Sequence, residues 1–224
     1  MQEGISGRPV LIFGAGGALG AGVAEAFTAA GAQVTGADKV VPPASRRLAG
    51  VSYDAVDVLD DDAVGALTDA GPTPWAVLNT IGGFAPARPL AELDRGELIT
   101  QLELNLVTAA LITKHALRVM QAAGEGRLVH TASRAAIVTS RQGFAYSVSK
   151  VGVLHLVTMA ADEVRGSGVT VNCVVPSIID TPANRAALPN ANYDAWPKIA
   201  DIARSYLYLA LPESGLVNGA SLQV

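Results

Sequence analysis

Tyr146 and Lys150 stand four positions apart in Tyr146-Ser-Val-Ser-Lys150, and Ser133 closes the preceding run Arg127-Leu-Val-His-Thr-Ala-Ser133. On a helix, residues four apart share a face. A free phenol has a pKa of about 10, too high to trade protons readily at neutral pH. A neighbouring ammonium favours the phenolate and lowers that value. Ser133 can donate a hydrogen bond to a substrate oxygen. The three groups would form a proton-transfer device aimed at a C–O or C–N bond. Tyr-x-x-x-Lys is a common spacing, however, and arises on helices with no catalytic role. Its meaning depends on the rest of the chain.

The elements around these residues read as follows. Leu128 to Thr131 form a short buried strand. From Tyr146, Val151, Leu154 and Val157 recur at helical spacing, with Leu156 extending the face, and the helix runs to about Arg165. Arg8 to Phe13 is a buried first strand, followed by Gly14-Ala-Gly-Gly-Ala-Leu-Gly20 and a helix ending near Gly31. Strand, glycine turn and helix is the context that makes a Gly-rich motif credible. Backbone amides at Gly14, Gly17, Ala18, Leu19 and Gly20 could approach a pyrophosphate, at a helix N-terminus that favours negative charge. The second strand, 32–37, leads to Asp38, eighteen positions after Gly20. An acid near that distance suits the adenosine ribose hydroxyls, repels a 2′-phosphate and favours NAD(H), with NADP(H) open because Lys39, Arg46 and Arg47 are near in sequence. A third strand, 51–56, ends at Asp57-Val58, where the acid either reaches an adenine amino group or caps the helix over 61–70. A fourth, 75–78, leads to Asn79-Thr-Ile-Gly82-Gly83, whose glycines would let backbone pass beside a cofactor. A long helix spans 92–120 with Leu98, Leu102, Leu106, Leu111 and Leu117 inward and Asn105 among them, where it could hold a water beside Lys150. A sixth strand, 169–175, turns out at Pro176. A mobile-looking segment reaches Trp196, a last helix spans 198–211, and 216–224 ends the chain as a seventh strand.

Half of the 224 residues are apolar and 16% are charged, with a mean hydropathy of +0.34. That fits a parallel sheet buried on both faces. A net charge of −4 with no basic run beyond Arg46-Arg47 argues against nucleic acid. Cys173 is the lone cysteine, which favours a cytoplasmic setting and a buried thiol. No apolar run reaches ~18 residues, so no membrane span is expected. His115 is expected on a helix surface or at an interface and His130 mid-strand. With His155 they show no ligand spacing, so no metal site is expected.

Alternating strands and helices predict an α/β fold: one domain over 1–224, a doubly wound, mostly parallel seven-stranded sheet with helices on both faces. Ligands of such sheets bind beyond the C-terminal strand ends. Gly14–Gly20, Asp38, Asp57, Asn79, Ser133 and Thr181 all follow strands and would gather there.

Along nearly its whole length the chain resembles the short-chain dehydrogenase/reductase family and its Rossmann fold. The resemblance rests on the 14–20 turn, Asp38, Asp57-Val58, the 79–83 segment, Asn105, Ser133, Tyr146-Ser-Val-Ser-Lys150 and Pro176-Ser-Ile-Ile-Asp-Thr181, with Ser133 thirteen positions before Tyr146. It implies Tyr146 as general acid/base, Lys150 on the nicotinamide ribose, Ser133 orienting substrate and Asn105 supporting a proton relay. Pro176 belongs to the same cofactor segment, in which Ile179 and Thr181 would hold carboxamide and phosphates. Phe13, Ala18, the 79–83 segment and Ser177 depart from the family's usual residues. Those departures, with 180–185, the Tyr193–Trp196 lid and 219–224, are similar to dihydropteridine reductases, although Ser133 and Asn105 are residues that branch typically lacks. Phe84, Arg134, Gln142, Phe144, Tyr193 and Trp196 form the expected substrate wall. The expected activity is hydride transfer between NAD(P)(H) and a carbonyl, alcohol or C=N carbon, with dihydropteridine reduction, a non-catalytic dinucleotide sensor and a nucleotide-sugar epimerase as rivals. Apolar helices at 98–120 and 147–163 suggest a homodimer or homotetramer.

Overall fold

A computed structural model describes residues 4–84, 88–138 and 143–224 of the chain. Gln142 lies outside the described residues. Seven strands form one sheet: β1 (Pro9–Phe13), β2 (Gln33–Asp38), β3 (Val51–Ala55), β4 (Ala76–Asn79), β5 (Gly126–Thr131), β6 (Val169–Val175) and β7 (Ser221–Gln223). The order is β3-β2-β1-β4-β5-β6-β7, and every pairing is parallel. The helices are α1 (Ala18–Ala29), α2 (Asp61–Asp69), α3 (Arg95–Leu102), α4 (Thr108–Ala123), α5 (Phe144–Glu163), α6 (Pro182–Ala187) and α7 (Ile199–Ala210). The expected doubly wound sheet forms, and strand order reverses between β1 and β4.

Side-chain alternation along each strand feeds two cores. Leu11 and Phe13 of β1 join α2, α4 and α5 on one face. Val10 and Ile12 join α1 and α7 on the other. This explains why β1 is a continuous apolar run.

The structure departs from the sequence expectation in places. The helix expected over 92–120 begins at Arg95 and is broken by a π-helical turn at Glu103–Val107. The extra residue in that turn rotates the apolar stripe, so Ala109, Ile112, Ala116 and Met120 are buried with Leu117, while Leu98, Leu102, Leu106 and Leu111 are only partly covered. Val151 of α5 is exposed, because Ala145, Ser149, Lys150, Val153 and Val157 take the inward face. His115 is buried, with Nε2 2.8 Å from Asp61 Oδ1 across the α2–α4 packing. By length and composition α5 could cross a bilayer, but it packs on β5 and β6 as a core helix. The segment after β6 contains α6 and a turn at Tyr193–Ala195.

Trp75 closes the N-terminal edge of the sheet. Its ring lies between the guanidinium groups of Arg8, 3.6 Å from the ring centroid, and Arg127, at 4.6 Å. Its Nε1 donates to Ala210 O at 2.8 Å. Trp75→Ala is expected to destabilise by about 3–5 kcal/mol and Trp75→Phe by less, measured by urea unfolding. A change under about 1 kcal/mol for Trp75→Ala would contradict this packing role.

Candidate active site

The carboxyl ends of the strands bring the motif residues to one edge. After β1 the chain turns at Gly14, with φ +86°. A Cβ on Gly14 would stand 2.7 Å from Thr80 Oγ1, and one on Gly20 would stand 2.1 Å from Gly14 O, so only glycine fits at either position. Gly17 precedes α1 at the cap position and offers no side-chain cap, leaving the first helical amides for an anion. Ala18 and Leu19 open that helix. Asp38 ends β2. Its Oδ2 accepts from Gly16 N at 2.9 Å and its Oδ1 from Lys39 N at 2.7 Å. Asp57 accepts from Lys39 Nζ at 2.7 Å and Leu59 N at 3.1 Å, and the lysine hydrogen bond holds its carboxyl below the usual carboxylate range. Val58 beside it is buried. A bare glycine turn, an uncapped helix N-terminus and an acid at the end of β2 fit a dinucleotide.

Asn79 behaves differently from the expected cofactor contact. It is buried, its Nδ2 lies 3.1 Å from His130 Nδ1, and its Oδ1 accepts from Ile81 N at 3.0 Å. Its side chain therefore faces the protein interior.

Lys150 is only 2% exposed. Its Nζ donates to Thr131 O at 2.9 Å, and burial lowers its pKa to about 8. The ammonium lies 6.0 Å from the Tyr146 ring centroid. Burial raises the Tyr146 pKa, and the Ser133 hydroxyl acts in the opposite direction, favouring the phenolate. The sequence expectation of a phenol lowered by its lysine is thus not met here. Loss of phenolate hydration dominates, and the lysine directs its hydrogen bond to a backbone carbonyl. Ser133 follows β5, and its Oγ accepts from Ala135 N at 3.2 Å.

Asn105 lies in the π-helical turn and is 1% exposed. Its Oδ1 accepts from Gly83 N at 3.2 Å, and its Nδ2 donates to Gly83 O at 3.1 Å. It thereby clamps the segment after β4. A Cβ on Gly82 would come 2.8 Å from Lys150 Nζ and 2.9 Å from Asn105 Oδ1, so this glycine is what lets backbone pass beside the lysine.

Phe84 packs edge-on against Tyr146, with centroids 5.2 Å apart. Arg134 is exposed, and its backbone N–H donates to Pro176 O at 2.9 Å. Phe144 is the exposed first residue of α5. Tyr193 and Trp196 pack against each other with ring centroids 5.0 Å apart and planes inclined at 58°, and Arg185 lies over Tyr193. Asp180 anchors this segment through Arg185 at 2.6 Å and Lys198 at 2.6 Å. These two cations hold its carboxyl well below the usual range. Thr181 Oγ1 caps α6 by accepting from Asn184 N at 3.2 Å, and Ile179 O accepts from Asn184 Nδ2 at 2.8 Å. A separate depression of about 400 Å³ lies toward the N-terminal ends of β1–β3, near Gln33, Ser52 and Pro72. It gathers none of these groups.

Sequence reasoning missed Thr131 and Tyr206. Thr131 Oγ1 donates to Asn79 O at 2.6 Å and meets the Tyr206 phenol, which is fully buried. Nothing local marks Tyr206, which is 75 positions away. On the opposite sheet face, Thr113 Oγ1 donates to Ala109 O at 2.7 Å and therefore accepts from His130 Nε2 at 3.0 Å. Nδ1 then accepts from Asn79, so His130 is neutral and protonated on Nε2. Burial, with the nearby Lys150, lowers its pKa to about 3. The unfolded chain thus binds the extra proton between about pH 6.5 and 3, and the stability present above that window is lost as pH falls through it. The loss is expected to reach up to about 5 kcal/mol. Urea unfolding from pH 6.5 downward should show a shallower decline in His130→Asn, and an equal slope would contradict the assignment.

Comparison with known proteins agrees with this geometry. The family model described as enoyl-(acyl carrier protein) reductase matches residues 14–224. A cis-4-hydroxycyclohexanecarboxylate dehydrogenase of Sinomonas cyclohexanicum is 33% identical, over 100% of this chain and 97% of its own. A D-threitol dehydrogenase of Mycolicibacterium smegmatis is 29% identical over 98% of this chain and 92% of its own. A short-chain dehydrogenase/reductase structure from Mycobacterium ulcerans superposes with a TM-score of 0.90 and 26% identity, covering 98% of this chain and 89% of that one. The chain is an NAD(P)-dependent oxidoreductase and belongs to the short-chain dehydrogenase/reductase family.

Proposed function

We propose that this enzyme interconverts a secondary alcohol and its ketone on a small, largely apolar body, using NAD(H). The observation that carries this reading is the assembly of Tyr146, Ser133 and buried Lys150 at one strand edge, beside a glycine turn fit for a dinucleotide. When bound, the nicotinamide supplies the hydride acceptor or donor. In oxidation the C–H pair leaves as hydride, and Tyr146 takes the hydroxyl proton. In reduction the phenol returns it. Ser133 orients the oxygen, and Asn105 and Gly82 keep the segment beside Lys150 in place. Because burial raises the phenol, its neutral form prevails at neutral pH, ready to donate. Oxidation should therefore accelerate and reduction slow as pH rises.

Asp38 faces the glycine turn while Lys39 is held by Asp57, which supports NAD(H) over NADP(H). Arg134, beside Ser133 and paired with no acid among the described residues, suits a carboxylate on the substrate. The hydroxy acid named for the Sinomonas relative would meet both requirements. The aromatic pair Tyr193–Trp196 favours a second reading, a flat pterin substrate as in dihydropteridine reductases. A homo-oligomer in a cytosolic setting completes the proposal.

The deciding assay follows reduced nicotinamide by absorbance, with cyclic secondary alcohols bearing or lacking a carboxylate and with quinonoid dihydropterin. Turnover of the alcohols supports the first reading, and turnover of the pterin alone would replace it. Tyr146→Phe should cut turnover by roughly 10²–10⁴-fold, and wild-type turnover would remove its acid–base role. Asp38→Ala should raise use of NADP(H), and unchanged preference would overturn the role given to Asp38.

A further inference from the structure

Lys150 is held by Thr131, and Thr131 is itself held from both faces of the sheet. The β4–β5 ladder ends at the Asn79–His130 pair, so Thr131 stands one residue past it on that side. Its hydroxyl supplies the missing link by donating to Asn79 O at 2.6 Å. Having given its proton there, it accepts from the Tyr206 phenol of α7. The preceding residue, His130, points to the opposite face, where Thr113 of α4 and the Asn79 amide engage both ring nitrogens.

We propose that Tyr206 and His130 are positioning residues for Lys150, acting through Thr131 and Asn79 to hold the carbonyl that binds its ammonium. This rests on the reading of Lys150 as the lysine of the reaction. The last residue of a strand, with no ladder partner on one side, is free to shift. A displaced carbonyl would leave a buried ammonium without its acceptor. Pinning His130 toward α4 and Thr131 toward α7 removes that freedom at the level of the lysine. Both pinning groups are neutral: burial raises the Tyr206 phenol and lowers His130. Besides His130, the titratable groups facing Lys150 are Tyr146 on its own helix and Cys173 of β6. Burial raises that thiol, which lies 3.4 Å from Ser221 Oγ.

The test is an NMR titration of lysine Cε and Nζ signals in the full-length enzyme, with Lys150 assigned by its absence in Lys150→Met. Three variants are compared, each checked for folding by thermal unfolding: Tyr206→Phe, Thr131→Val and Thr131→Ser. Loosening the carbonyl disfavours the charged lysine, so Tyr206→Phe and Thr131→Val should lower its midpoint by about half a pH unit or more. Thr131→Ser keeps the hydroxyl and should titrate as wild type. A wild-type Lys150 midpoint in folded Tyr206→Phe and Thr131→Val would overturn the proposal. Should Tyr206→Phe not fold, the Val and Ser pair decides in the same way. The titration needs no substrate, so a moved midpoint with no turnover on any alcohol supports the positioning and counts against the assigned reaction alone.

Discussion

A buried ammonium constrains the rest of the site. Lys150 is 2% exposed and donates to Thr131 O. An ion removed from water needs an acceptor in place before it arrives, or it loses its charge. Burial already lowers the pKa of Lys150 to about 8, so its charge at neutral pH depends on that one carbonyl staying where it is. Demands spread outward from there. Gly82 must lack a side chain, Asn105 must clamp Gly83, and the β4 and β5 ends must stay in register. The π-helical turn at Glu103–Val107 answers the second demand. It carries the Asn105 amide inward from a helix whose regular course would space it differently, as such turns often do at functional positions.

The glycines of the site are explained by the same crowding. Gly14, Gly20 and Gly82 each sit where a Cβ would meet an oxygen or nitrogen closer than 3 Å. At Gly14 and Gly20 the crowding draws the β1 turn against β4 and leaves amides at the start of α1 exposed to an anion. At Gly82 it leaves the lysine its space. One requirement, close backbone approach, thus shapes both the glycine turn and the space beside the lysine.

The fold was largely legible in the sequence because a parallel sheet between two helical layers leaves long apolar strands and abrupt glycine turns. The sixth strand, Val169–Val175, emerged as read, and the last helix over Ile199–Ala210 within the expected bounds. What the sequence hid was set by tertiary geometry. The π-helical turn has no local signature, so the leucines of 98–117 were assigned inward one register too simply. His115 reads as a residue of a helix surface or an interface until Asp61 arrives from α2. The sign of the Tyr146 shift depends on burial against one hydroxyl, a balance that four-residue spacing cannot express. Asn79 stands at the expected edge, with its side chain turned inward. Its position after a strand was readable, while the orientation of its amide toward His130 was not.

The lid shows why likeness of segments and likeness of sites must be weighed separately. Tyr193, Trp196 and the run from Asp180 to Arg185 carried the sequence resemblance to dihydropteridine reductases, and in the structure they act largely on one another. Asp180 binds Arg185 and Lys198, Arg185 covers Tyr193, and Tyr193 packs on Trp196. A segment stabilised by its own contacts can be inherited whole without reporting what lies beneath it. The groups that touch the phenol are a better guide to chemistry. Ser133 and Phe84 do so here, one through its hydroxyl and the other through an aromatic edge.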